Sequence, residues 1–427
     1  MSLTAPGFLQ SRLARPVAIF GAGVSGRAAG ALLAELGVPA TSYDAQGAEF
    51  DAAAARRHAL AVFSPGFAPD HPWLQQARAA GVACLGELDF ASLFWRGRIV
   101  AVTGTNGKTT LTEFLAHALR SVGREAHAAG NVGRAFSQLI VDTAGGAAAA
   151  FAVCEVSSFQ AETLQHFHAE ACLWTNFAED HLERHGDLEA YFAAKLALTV
   201  RSDAVFAGSS VGAFARRPGA VGQLAGARGV PTQGQPADPR LAGTPFADYP
   251  QRENFLLAAA WWRENGFPDA ALVAAARTFR LGRHRLARVG ERDGVVCWND
   301  SKATNFHAVL AALGRFEAPV LLIAGGKSKG GDLAEFVRGA APRVRRWFLI
   351  GETGPRLAAL CAAAGRPHLL CASLAEAVRA AGDAAAPGDN LLLSPGFASF
   401  DQFRNYEDRG DQFERLVREP RLQPQPH

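Results

Sequence analysis

The sequence predicts an α/β chain in three domains: N-terminal Rossmann-like, central P-loop ATPase-like with a parallel sheet, and C-terminal Rossmann-like. Three observations predict it. Two short apolar runs, residues 16–20 and 98–103, each end in a glycine-rich loop that opens a helix. Beyond residue 282 the chain alternates apolar strands with helical stretches, the pattern of a doubly wound sheet. A length of 427 residues suits about three domains. The boundaries are placed at 1–97, 98–282 and 283–427.

In the first domain, residues 16–20 read as a buried strand. Gly21-Ala-Gly23-Val-Ser-Gly26 follows, then a helix over about 27–36 stopped by Gly37. A second strand, 38–43, leads to Asp44. Glycines at this spacing, with an acid nearly twenty positions on, point to a nucleotide diphosphate at Gly21, Gly23 and Gly26. Helix packing without ligand would produce the same glycines. Residues 62–66 form a strand running into a turn that carries Ser64, and 82–85 form another strand. The pattern resets around 94–97.

The central domain opens on Arg98-Ile-Val-Ala-Val-Thr-Gly104-Thr105-Asn106-Gly107-Lys108-Thr109-Thr110. Leu111, Phe114, Leu115, Ala118, Leu119 and Val122 keep helical spacing. Strand, tight loop and helix make a phosphate cradle: amide groups converge where the helix dipole favours an anion. Lys108 can bridge phosphates, and the Thr109 hydroxyl can hold magnesium. Only two residues separate the glycines, against four in the standard motif, so an ordinary strand-to-helix turn is the competing reading. Asn131 lies in a glycine-flanked loop. Glu155 ends a strand over 149–154, and Asp180-His181 lies beyond a strand over 171–174. Strand ends of this kind bind ligands in open α/β sheets and permit a second magnesium site, although a carboxylate there is often a helix cap. Lys195 reads as a solvated lysine on a helix over 191–198. Residues 209–251 read as loops with a short strand pair. Glu253-Asn254 begins a helix running to about 262.

Residues 279–285 look like a hinge. Strands over 295–298, 320–324, 347–350 and 390–393 follow. Polar segments stand at three of their ends: Asn299-Asp300-Ser-Lys302-Ala-Thr304-Asn305, Gly325-Gly-Lys327-Ser-Lys329, and Ser394 through Ser399 to Asp401. Three such loops at one sheet edge make a binding face.

Composition restricts the function. Apolar content of 49%, charged content of 19% and a net charge of +3 suit a soluble globular chain and argue against a nucleic-acid partner. No apolar run reaches the ~18 residues of a membrane span. The N-terminus lacks the features of a signal peptide. The six cysteines form no C-x-x-C pair and read as buried thiols in a reducing cytoplasm. A monomer is the default expectation.

Together these motifs resemble the Mur ligase family of peptidoglycan synthesis, in its D-glutamate-adding branch. The short Gly104-Thr-Asn-Gly-Lys-Thr-Thr110 is that family's own cradle. Glu155 in Glu-Val-Ser-Ser-Phe-Gln, His181 in Glu-Asp-His, the block 299–305 and Asp401-Gln-Phe403 match in order. The resemblance implies an ATP-dependent ligase acting on UDP-N-acetylmuramoyl-L-alanine and D-glutamate through an acyl phosphate. It implies two Mg2+ ions on Thr109, Glu155, His181 and a carbon-dioxide-derived carbamate of Lys195. Lys108, Lys195, Glu155 and His181 would form the catalytic set. Gly104, Thr105, Asn106, Gly107, Lys108, Thr109, Thr110, Asn254, Arg285, Asp300 and Lys302 would bind ATP. Gly21, Gly23, Gly26, Asp44, Ser64, Asn131 and Ser157 would bind the UDP substrate. Thr304, Lys329, Ser399 and Tyr406 would receive the amino acid.

The chain departs from the family pattern at three places. Glu253 and Leu257 replace the His and second Asn of His-Asn-x-x-Asn, Tyr406 replaces a common Phe, and Ala45-Gln46 are not the usual uracil-side residues. The alternatives are a sibling ligase for another amino acid, a folate-type glutamate ligase, a nicotinamide-dependent oxidoreductase and an ATP-driven switch.

Overall fold

The computed structural model describes residues 3–219, 224 and 226–419. Sixteen strands, here numbered in chain order, form three sheets among these residues. They are β1 Val17–Phe20, β2 Ala40–Tyr43, β3 Leu60–Phe63, β4 Ala83–Gly86, β5 Arg98–Thr103, β6 Ala126–Gly130, β7 Phe151–Glu155 and β8 Ala169–Trp174. β9 Ser202–Ala207, β10 Arg228–Gly229, β11 Ala287–Arg292, β12 Val295–Asn299, β13 Val320–Gly325, β14 Val344–Ile350, β15 His368–Leu370 and β16 Asn390–Leu393 complete the set.

The first sheet runs β2-β1-β3-β4 and the second β10-β9-β8-β5-β7-β6, and the strand pairs described in both are parallel. The third runs β11-β12-β16-β13-β14-β15, parallel except that β11 turns back on β12. The expected α/β class with parallel sheets is therefore present. Parallel strands buried on both faces need continuous apolar runs, as in Val17–Phe20 and β13, whose residues are all buried.

Two compact units divide the chain. One comprises Met1–Phe177 with Glu189–Phe279, and the other Ala178–Leu188 with Arg280–His427. The segment 178–188, which carries Asp180 and His181, thus groups with the C-terminal residues. In the first unit one core runs from Val17, Ile19 and Leu60 of the first sheet to Ala101, Phe136 and Cys172 around the second. Its two parts are also tied by carboxylates. Asp89 Oδ1 accepts from the backbone N–H of Gln165, His166 and Phe167 at 3.1, 2.8 and 2.7 Å, and Glu87 Oε1 from that of Ser137 at 2.7 Å. In the second unit the third sheet is packed by separate clusters, one around Val309, Leu322 and Trp347, the other around Ile323, Phe348 and Phe413.

Several elements differ from expectation. The helix expected over 27–36 is Val24–Glu35, starting three residues earlier. Position 26, inside it, takes glycine because a Cβ there would come 1.7 Å from the Gly21 carbonyl oxygen. The stretch 209–251, read as loops with a strand pair, instead holds the helix Ser209–Ala215, the short β10 added to β9, and a 3-10 turn Pro239–Leu241. Residues 220–223 and 225 of that stretch lie outside the described residues. All six cysteines are free and buried, as expected.

Candidate active site

The cradle sits where β5 meets the helix Lys108–Ser121. Its turn needs positive φ at Gly104 (142°) and Gly107 (83°), where a side chain would be strained. Space forbids one as well: a Cβ would come 1.9 Å from Thr175 Oγ1 at Gly104, and 2.5 Å from Asn254 Oδ1 at Gly107. Two residues just past β8 fix the loop between the glycines. Asn176 Oδ1 accepts from the Asn106 N–H at 2.9 Å, its Nδ2 donates to Asn106 O at 3.1 Å, and Thr175 Oγ1 donates to the same oxygen at 2.6 Å. Lys108 Nζ folds back to donate to the carbonyls of Gly104 (3.0 Å) and Thr105 (2.9 Å). Thr109 and Thr110 are buried in the first helical turn.

Glu155 ends β7, paired with Val102 of β5 just before the cradle. It is 1% exposed. Oε1 accepts from Asn131 Nδ2 at 3.1 Å, and the Asn131 N–H donates to Glu155 O at 2.9 Å. Oε2 is buried without a hydrogen-bond partner among the described residues. A buried carboxylate oxygen left unsatisfied is costly unless a donor or cation arrives.

Lys195 corrects a sequence expectation. It is not solvated but 1% exposed. Its Nζ donates to Gly104 O at 2.9 Å, lies 3.5 Å from Thr103 Oγ1 and sits 4.9 Å from the centre of the Tyr191 ring. The helix Leu188–Thr199 buries the face shared by Tyr191, Lys195 and Leu198, which lie three and four residues apart. Periodicity treated the lysine as the polar exception, whereas the fold points it at the loop.

Among the described residues, no three His, Cys, Asp or Glu side chains gather as an all-protein metal cage. The open Glu155 oxygen beside a phosphate cradle fits magnesium, which usually relies on one or two carboxylates plus substrate phosphates. Asn254 donates to Gln251 Oε1 at 2.8 Å and packs against Gly107. Leu257 is fully buried, and Glu253 is buried, its Oε1 without a hydrogen-bond partner among the described residues and its carboxyl pushed up to about 6 by burial.

In the N-terminal loop Gly21 has φ 94°, and a Cβ there would come 3.0 Å from the Ser64 hydroxyl, which is buried without a hydrogen-bond partner among the described residues. Gly23 caps the next helix, and Asp44 Oδ2 accepts from the Ala22 N–H at 2.8 Å. The acid thus braces the glycine loop. Ser157 caps a short helix through a reciprocal bond with Gln160.

In the second unit the block after β12 folds against the helix Tyr406–Arg418. Asp300 is buried, accepting from the Leu286 N–H (3.0 Å) and the Ser394 hydroxyl (2.8 Å). Burial pushes its carboxyl up to about 7, against those bonds and the charges of Arg285 and Arg409. Lys302 Nζ lies 3.8 Å from the centre of the Tyr406 ring. A small pocket is lined by Glu179, Asp180, Thr304, Asn305, Lys329 and Phe397, among others. Within it Lys329 Nζ is 3.4 Å from Thr304 Oγ1 and 3.6 Å from Asp180 Oδ1, and Asn305 Nδ2 donates to Asp180 Oδ2 at 3.0 Å. His181 adopts a left-handed backbone (φ 57°), with Nε2 3.6 Å from Asp180 and Nδ1 3.4 Å from Glu183. Ser399 is buried, and its carbonyl accepts from Gln402 and Phe403.

The fold therefore joins Lys108, Lys195, Asn254 and the cradle glycines, pairs Asn131 with Glu155, and joins Thr304 to Lys329 and Lys302 to Tyr406. Sequence reasoning gave no role to Thr175, Asn176, Asp180 or Arg409. The first two are signalled only by their position past the strand beside β5.

Comparison with known proteins agrees with this arrangement. The model of the Mur ligase middle domain matches residues 102–206, and that of the Mur ligase glutamate ligase domain matches 284–397. The UDP-N-acetylmuramoylalanine–D-glutamate ligase of Gloeobacter violaceus is 38% identical over 94% of this chain and 98% of its own. The enzyme of the same name from Myxococcus xanthus is 34% identical over 94% and 97%. The crystal structure of UDP-N-acetylmuramate-alanine ligase from Thermotoga maritima has a similar fold, with a TM-score of 0.56 at 16% identity, covering 94% of this chain and 99% of that one.

Proposed function

The chain belongs to the Mur ligase family, and on that premise we propose that it joins D-glutamate to UDP-N-acetylmuramoyl-L-alanine at the expense of ATP. The observation that carries this reading is the phosphate cradle, with Lys108 and the buried Lys195 both on the Gly104 carbonyl and Glu155 on the strand alongside.

A carboxylate resists attack by an amine because oxide is a poor leaving group. Phosphorylating the alanyl carboxylate from ATP gives an acyl phosphate, which the amine can attack, and phosphate then leaves from the tetrahedral adduct. The cradle amides and Lys108 would hold the triphosphate and offset charge on the transferring group. Thr109, Glu155 and His181 would hold two magnesium ions with a carbamylated Lys195, and bound magnesium would supply positive charge at the phosphoryl oxygens. Asn254, Arg285, Asp300 and Lys302 would complete the nucleotide site. Gly21, Gly23, Gly26, Asp44, Ser64, Asn131 and Ser157 would hold the UDP substrate. Thr304, Lys329, Ser399 and Tyr406 would take the amino acid, with a lysine for a carboxylate. We assign these tasks to domains 1–97, 98–282 and 283–427, in a cytoplasmic monomer.

Phosphate release across an amino-acid panel, with UDP-N-acetylmuramoyl-L-alanine as acceptor, tests the reading. Release should require both acceptor and amine, and D-glutamate should give the highest kcat/KM. Release without any amino acid, or a preference for another amino acid, would overturn it. The carbamate has its own test. Rigorous removal of carbon dioxide should lower activity by at least tenfold, and bicarbonate should restore it. Full activity in carbon-dioxide-free buffer excludes a carbamylated Lys195.

A further inference from the structure

We propose that Arg27 holds the diphosphate of the UDP substrate, supplying the positive charge that the residues so far assigned to that substrate lack. The proposal rests on the reading that puts the substrate on Gly21, Gly23 and Gly26, and it adds a residue to that site.

The residues assigned to the UDP substrate carry one negative charge, on Asp44, and no positive one. Asp44 is ionised, because the bond from the Ala22 N–H holds its carboxyl below the usual carboxylate range. Two amides of the glycine loop are also committed to the fold. The Gly21 N–H donates to Tyr43 O and the Ala22 N–H to Asp44 Oδ2, both at 2.8 Å. A diphosphate arriving here meets a fixed like charge and fewer donors than a bare glycine loop presents. A guanidinium beside the loop offsets both, since it brings charge and several donors together.

Arg27 is placed for this. It is the fourth residue of the helix Val24–Glu35, and side chains on a helix lean toward its N-terminus, where the loop stands. Arg27 Nη1 donates to Ala22 O at 2.8 Å, so the guanidinium rests on the same residue whose N–H is held by Asp44. That bond fixes the head of a flexible side chain and leaves the other N–H groups of the fork for phosphate oxygens. Among the described residues no carboxylate pairs with Arg27, and the first turn of its helix holds no acid. The side chain is exposed, so a ligand reaches it without rearrangement of the loop.

Titration calorimetry of UDP on the full chain tests the assignment, with a non-hydrolysable ATP analogue present to fill the central cradle. The parent is compared with Arg27→Lys and Arg27→Gln. All three residues are good helix formers at an exposed position, and equal thermal midpoints check that the fold is kept. At low salt Arg27→Gln should weaken UDP binding by about tenfold, and Arg27→Lys, which keeps the charge without the fork, by less. The parent's affinity should also fall more steeply with added KCl than that of Arg27→Gln, a difference that a purely structural role does not produce. In turnover, KM for UDP-N-acetylmuramoyl-L-alanine should rise by a similar factor while KM for ATP stays level. UDP affinity of Arg27→Gln within twofold of the parent overturns the proposal, as do equal salt slopes in the two proteins. A parent that binds UDP beside an equally tight Gln variant removes Arg27 alone and leaves the substrate reading of the loop intact. A parent that binds no UDP overturns that reading, and the proposal with it.

Discussion

Among the described residues, buried carboxyl groups with an open oxygen are those that most need an explanation. Glu155 has one beside the cradle, where a cation would relieve it. Glu253 has another at the start of the helix Gln251–Glu264, and burial holds its carboxyl up at about 6. An unfolded glutamate titrates near 4.3. Below about pH 4 both states are protonated and the group is neutral toward folding. As pH rises from about 4.3 to about 6 the unfolded chain releases its proton first, so stability falls by up to about 2 kcal/mol and then levels. Glu253→Gln keeps the shape and removes the titration. It should therefore match the parent near pH 4 and exceed it by about 1–2 kcal/mol near pH 8, read from urea midpoints. Equal differences at the two pH values would show that desolvation of Glu253 is not the cause.

At the scale of elements, the loops that carry chemistry were legible because they combine glycine with polar residues at strand ends. Gly104, Gly107 and Lys108 announce a turn that no larger residue could make, and the structure adopts it. Edge strands were less legible. β11 and β15 hold no fully buried residue and lack the apolar run that marks β13. Lys195 was misread because helical spacing identifies a face but not what faces it. Asp89 was invisible for a related reason: its partners are backbone amides some 76–78 residues away, which no local pattern encodes. This element-to-element tie can be tested. Asp89→Ala leaves three N–H groups without their acceptor, one at the fully buried Phe167, and should cost about 3 kcal/mol or more. Asp89→Asn keeps an acceptor oxygen and should cost less. Urea unfolding of both variants reads the order, and an Ala variant as stable as the parent would remove the anchoring role.

At the scale of the whole chain, the two compact units have separate sheets and cores, so unfolding need not be a single cooperative event. The proposed ligands divide between them. Gly21, Gly23, Gly26, Asp44, Ser64, Asn131 and Ser157 lie in the unit formed by 1–177 and 189–279, and Thr304, Lys329, Ser399 and Tyr406 lie in the other. A ligand that binds only the folded form stabilises it by about 2.7 kcal/mol at a hundred times its Kd, a rise of a few degrees in Tm for units of this size. Scanning calorimetry should therefore resolve two transitions. UDP-N-acetylmuramoyl-L-alanine alone should raise one of them, and D-glutamate alone, at saturating concentration, should raise the other. Selective movement in both directions would place the acceptor and the amine on different units before any chemistry occurs. A single transition shifted equally by either ligand would mean that the chain unfolds as one body, and it would remove the basis for assigning each substrate to its own unit.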